Sequence, residues 1–176
     1  MPDAPADTPA VEPEVSKDDR FALNALSIAA TLAGTDPGGK AEARRMDAAG
    51  APVFWRQVAR LHLSQAEEPV WLAYTRMVAL LTPASATTSV HDAKRPLGAV
   101  LHQAGVSEQR LARFLALRGP ARLEALERII RSIARQRPPL DLVSLARAAF
   151  ELDRNDIARS YYRALDNSKI EETQNG

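Results

Sequence analysis

The side chains best suited to chemistry here are arginines. They concentrate between Ser107 and Arg137, which carries eight (Arg110, Arg113, Arg118, Arg122, Arg128, Arg131, Arg135, Arg137) against three acids, Glu108, Glu124 and Glu127. A guanidinium stays charged at any working pH and offers phosphate two donors in one plane. The pattern suits binding to an extended polyanion rather than bond-making. In the second half of the stretch Leu123, Leu126, Ile130 and Ile133 recur at three- and four-residue steps, the apolar stripe of a helix. At 100° per residue, Arg128, Arg131 and Arg135 fall within roughly 60° of one another, nearly opposite that stripe. Gly119-Pro120 divides the stretch, because glycine ends one helix and proline can start the next. The expectation is a helix pair with one buried face and a row of guanidinium groups on the other.

Two other places bear positive charge. Gly34 to Ala41, GTDPGGKA, matches the opening of a phosphate-binding loop, but Ala41 stands where a Ser or Thr must hold magnesium, and a helix rather than a strand precedes it. Nucleotide hydrolysis therefore lacks its apparatus. Two readings remain. Either Gly38-Gly39 opens a short helix, Lys40 to Met46, whose free amides join Lys40, Arg44 and Arg45 on a backbone phosphate, or this is a solvated helix start. Lys94 and Arg95, in a loop before Pro96, either touch phosphate or are solvated.

Groups that would make an enzyme are missing from the pattern. His62, His91 and His102 form no metal-ligand spacing, and the chain has no cysteine to assist them. No serine sits in a nucleophile-elbow setting. Glu67-Glu68 and Glu124-Glu127 lie where helix starts or exposed faces favour negative charge. No catalytic residue, metal, cofactor or small-molecule substrate is expected.

The elements that must position the arginines read as helices throughout. Ser16 or Asp18 caps a first helix running to Leu32. Others follow over Lys40–Met46, Pro52–Leu63, Pro69–Leu81 and Leu97–Ala104, with Phe54, Trp55, Trp71, Tyr74 and Val78 turned inward. After the arginine-rich pair, Pro138-Pro139 stops the chain, Asp141 caps Leu142–Leu152, and a last helix covers Ile157–Leu165. No segment sustains the alternation of a half-buried strand. The expected fold is all-α: one compact bundle of about seven or eight helices over residues 17–167. It lies between a disordered acidic, proline-rich tail, 1–16, and a flexible polar tail, 168–176.

At 176 residues with 45% hydrophobic content, the chain is long enough for one well-formed core. The first sixteen residues carry −4 and the last nine −1, so a net charge of +1 leaves +6 on the body; 19 of the 23 basic residues are arginine. No window is apolar enough for a membrane span, the N-terminus does not read as a signal peptide, and the absence of cysteine suits the cytoplasm.

Taken in order, these segments resemble the CasB family, the small subunit of the type I-E CRISPR Cascade surveillance complex. The resemblance rests on GGKAEARRM at 38–46, PVFWRQVARL at 52–61 and RPLGAVLHQAGVSEQRLARFLALRG at 95–119. It continues through ARLEALERIIRSIARQRPPLDLVSLARAAFEL at 121–152 and ARSYYRAL at 158–165. Together these span about residues 20–165; Ile157 departs from the pattern, standing where a tryptophan is expected before the last element. The resemblance implies an all-helical, non-catalytic protein, two copies of which lie beside the other Cascade subunits. There they line the guide RNA–target DNA duplex and help to hold the displaced strand. Base pairing with the guide reads the sequence, so backbone contacts suffice. The residues expected to make them are Lys40, Arg44, Arg45, Arg110, Arg113, Arg118, Arg122, Arg128, Arg131 and Arg135, with Lys94 and Arg95. Two other readings stand beside this one: a free-standing helical DNA-binding regulator that uses Gly119-Pro120 as the turn of a helix-turn-helix, and a helical scaffold whose arginines pair with acidic proteins.

Overall fold

A computed structural model describes residues 16–153 and 155–174. Among these the chain forms nine α-helices and one 3-10 turn, with no strand and a single isolated bridge between His91 and Leu140. The reading of residues 1–16 as a disordered tail falls, but for Ser16, outside the described residues.

Local signals set the helix starts. Ser16 caps α1 (Lys17–Gly34), its hydroxyl accepting the Asp19 N–H at 3.1 Å. Asp36 caps α2 (Pro37–Arg45) by accepting the Gly39 N–H at 2.9 Å, a bond that also holds its carboxyl below the usual carboxylate range. Helix α2 thus begins at Pro37, with Gly38 and Gly39 inside its first turn rather than ahead of it. Proline likewise opens α3 (Pro52–Leu61) and lies in the first turn of α4 (Glu68–Leu81).

Helix α4 is the axis of the bundle. Nine of its residues are buried, among them Trp71, Tyr74, Met77, Val78 and Leu81, and it packs on α1, α2, α3, α7 and α8. An apolar surface on nearly every side is what a central helix requires. Trp71, Phe21 and Phe150 meet with ring centroids 4.8–5.3 Å apart, joining α4, α1 and the end of α8 (Leu142–Ala149). The Tyr74 hydroxyl donates to the Ala25 carbonyl at 3.0 Å; burial, and then the charge of Asp141, push its ionisation well above the ordinary tyrosine value.

Helix α5 (Leu97–Gln103) packs along α9 (Asp156–Gln174) at unusually short range. Gly98 allows this: a Cβ there would overlap the Ile157 carbonyl oxygen and the Ser160 hydroxyl. Ile157 is itself buried under this contact, so the smaller side chain at the departing position fits closely packed helices. Helix α9 does not stop at Leu165 but continues through Gln174. Nothing between Asp156 and Gln174 breaks a helix, and Ser168 lies 3.3 Å from His102 on α5. Residues 168–174, expected as part of a polar tail, are therefore helical.

One of the side chains expected to turn inward, Trp55, does not. Phe54 is buried, whereas its neighbour Trp55 is 42% exposed, its indole N–H donating to the Ala49 carbonyl at 2.8 Å. One position on a helix is a 100° turn, and only Phe54 faces α4. Leu152 is half exposed because α8 ends at Ala149.

Candidate nucleic-acid interface

Helices α6 (Glu108–Ala116) and α7 (Gly119–Ile133) form a hairpin on the flank of α4. Ser107 caps α6 through the Arg110 N–H. The chain reverses at Gly119, whose φ of +57° favours glycine, and the Glu151 carboxylate accepts the Gly119 N–H. Leu111 and Phe114 from α6 and Leu126, Ile129, Ile130 and Ile133 from α7 are buried, which fixes the roll of both helices and turns Arg110, Arg113, Arg128 and Arg131 to the outside.

Between the two helices runs a groove of about 150 Å³, with Arg110, Arg113 and Arg128 beside a floor of Phe114, Leu117, Ala125 and Ile129. Glu124 approaches Arg128 at only 3.9 Å, and both side chains are largely exposed, so the pair contributes little and yields to a competing anion. Glu127, the other acid of α7, is turned away and bound to Arg76 of α4 at 2.6 Å, and Arg76 also donates to the Met46 carbonyl. The hairpin thereby presents three guanidinium groups at one groove, with Glu127 engaged elsewhere and Glu124 only loosely paired. Arg131 is exposed further along α7, and Arg135 is exposed on the 3-10 turn Ala134–Gln136, where the helical period no longer strictly applies.

Several of the expected phosphate contacts are occupied by the protein itself. Arg122 is 5% exposed; its guanidinium bonds Asp153 at 2.7 Å and lies 4.6 Å over the Phe114 ring. It braces the hairpin from beneath and cannot reach a ligand. The wheel already carried this signal, because Arg122 shares a face with Leu126, Ile129 and Ile133. Lys40 is 2% exposed, with its ammonium donating to the carbonyls of Ala84 (3.2 Å) and Ala86 (2.6 Å). Arg44 donates to the carbonyls of Ala79 and Thr82, closing the C-terminus of α4. Arg118 does the same for α6, through the carbonyls of Leu115 and Leu117. Lys40, Arg44 and Arg122 leave the set of phosphate contacts, and Arg118 is largely engaged. Of the α2 group only Arg45 stays exposed.

The loop pair divides. Arg95 donates to the Gln103 side chain at 2.7 Å, whereas Lys94 is exposed and lines a second, open groove of about 770 Å³ between α5 and α9. Arg163 of α9 lines the same groove, a cation the sequence reading did not single out although it lies in the ARSYYRAL segment. His91 is structural: its Nδ1 accepts the Leu142 N–H at 3.1 Å at the start of α8. Among the described residues no cluster of three or more His, Cys, Asp or Glu could hold a metal ion, and no helix is long and apolar enough to cross a membrane.

A scan against family models and searches of curated proteins and solved structures found no match to this chain. The functional reading therefore stands on the residues and their geometry.

Proposed function

We propose that this protein is a non-catalytic subunit that binds the sugar-phosphate backbone of nucleic acid along its α6–α7 hairpin. The observation that carries this is the convergence of Arg110, Arg113 and Arg128 on one groove, with Arg131 and Arg135 exposed beyond it. Three exposed guanidinium groups at a shallow groove suit an extended anion better than an enclosed small molecule.

Joined to the segments that resemble the CasB family, this surface is that of a small subunit of a type I-E Cascade complex in the cytoplasm. In that role it assembles with the other Cascade subunits and a second copy of itself. It then holds the guide RNA–target DNA duplex and the displaced strand against re-annealing. Strand exchange in an R-loop is nearly balanced, so a few backbone contacts shift it.

The regulator reading finds less support. A recognition helix needs base-reading side chains at its N-terminal end, and α7 begins Gly119, Pro120, Ala121 and then the buried Arg122. The test is co-expression with the type I-E subunits and guide RNA: co-purification is expected, and failure to assemble would refute the Cascade role.

A further inference from the structure

The free groove has a candidate occupant in the chain itself. Residues 1–15 precede the described body and carry Asp3, Asp7, Glu12 and Glu14 with no basic residue. The body they leave is basic, and its arginines are most concentrated at the α6–α7 hairpin.

Side-chain contacts at the start of α1 fix where that segment departs. Phe21, in the first turns of α1, meets Phe150 with ring centroids 5.2 Å apart. The next residue, Glu151, holds the N–H of Gly119, and Gly119 lies two positions beyond Leu117, which lines the groove. The N-terminus of α1 therefore emerges a few side chains from the end of the hairpin. Twelve extended residues span about 40 Å, ample to run the length of two short helices. Prolines at 2, 5, 9 and 13 restrict the segment's backbone and lower the entropy lost on docking. Val11 and those prolines offer apolar groups to a floor that carries Leu117 and Ile129.

We propose that residues 3–14 dock in the α6–α7 groove of their own chain, with carboxylates on Arg110, Arg113 and Arg128, and compete there with nucleic acid. The competition rests on the nucleic-acid reading above; the docking does not. Tethering so near the groove gives the segment an effective concentration on the order of millimolar, so even a weak contact is populated. Strands held firmly in an assembled complex displace it, while weak encounters of the free protein with stray polyanions are suppressed.

Two measurements test this. A labelled peptide of residues 1–15 is titrated into protein lacking residues 2–15, with and without R110E/R113E/R128E. A twenty-nucleotide oligothymidylate is titrated into the full chain, the tail-less protein and D3N/D7N/E12Q/E14Q, with circular dichroism verifying the fold of each. The peptide should bind at 50 mM salt, fade at 300 mM and fail against the charge-reversed groove. Removing or neutralising the tail should tighten oligonucleotide binding by about five- to tenfold at 50 mM salt and less than twofold at 300 mM. A peptide that does not bind, or that binds the charge-reversed groove equally well, would overturn the docking. Unchanged oligonucleotide affinity in both tail variants would overturn the competition. Peptide binding with no oligonucleotide binding by any variant would uphold the docking and overturn the nucleic-acid reading instead.

Discussion

Replacing Arg110, Arg113 and Arg128 by alanine should change how strongly binding depends on salt, by an amount the groove sets. Each arginine that neutralises a phosphate of a single strand releases condensed counterions and adds about 0.7 to the slope of log K against log salt. Three side chains converge on the groove, so the triple variant should lower the magnitude of that slope by about 2. Between 50 and 200 mM salt this corresponds to roughly a twentyfold smaller loss of affinity than for the unsubstituted protein. The assay is fluorescence anisotropy with a labelled twenty-nucleotide oligothymidylate over that salt range. Both proteins should lack residues 2–15, so that the acidic segment does not compete. K40M/R44M supplies the contrast, because those two cations are bound to backbone carbonyls and should leave the slope unchanged while lowering stability. An unchanged slope in the triple variant, or an equal loss in K40M/R44M, would refute the assignment of the groove.

Other perturbations address the scaffold that holds it. Arg122→Ala strands Asp153 in a buried site and should cost about 3–5 kcal/mol by urea denaturation, with R122M/D153N recovering much of the loss; the salt slope of the folded fraction should not move. Gly98→Ala forces α5 from α9 and should cost at least about 2 kcal/mol, read as a lowered Tm. Tyr74 has a raised folded-state pKa, so its neutral hydroxyl contributes stability in full below the ordinary tyrosine value of about 10, and that contribution is lost as pH rises above it. Tyr74→Phe should cost about 1 kcal/mol at pH 8 through the lost bond to Ala25, and should lose less than the unsubstituted protein between pH 8 and 11. Equal losses by the two proteins over that range would place the alkaline sensitivity elsewhere.

The helices were legible because their signals are local. Ser16, Ser107 and Asp141 cap where a side-chain oxygen can meet an amide two or three residues on, and Gly119-Pro120 marks its turn in two letters. The extension of α9 was also readable, as a run without a breaker, although its polar composition obscured it. The fate of individual arginines was less accessible. A helical wheel gives the direction of Cα–Cβ, whereas a guanidinium several bonds away can fold back onto a carbonyl, as those of Arg44 and Arg118 do. Lys40 finds its partners 44 and 46 residues along the chain, and Arg122 finds Asp153 31 residues along. No spacing rule couples positions that only the tertiary fold brings together. What survived is Arg113, Arg128 and Arg131, whose Cβ atoms oppose the apolar stripes of Leu111 and Phe114 and of Leu126, Ile130 and Ile133, with Arg110 exposed on the flank of the α6 stripe.

The proposed role of this hairpin is to hold nucleic acid within a type I-E complex. The most direct measurement is the lifetime of the R-loop formed on target duplex by complexes assembled with the unsubstituted protein and with R110A/R113A/R128A. Both should assemble, and the variant should release the target sooner, with the difference widening as salt is lowered. Equal lifetimes from fully assembled complexes would contradict that role.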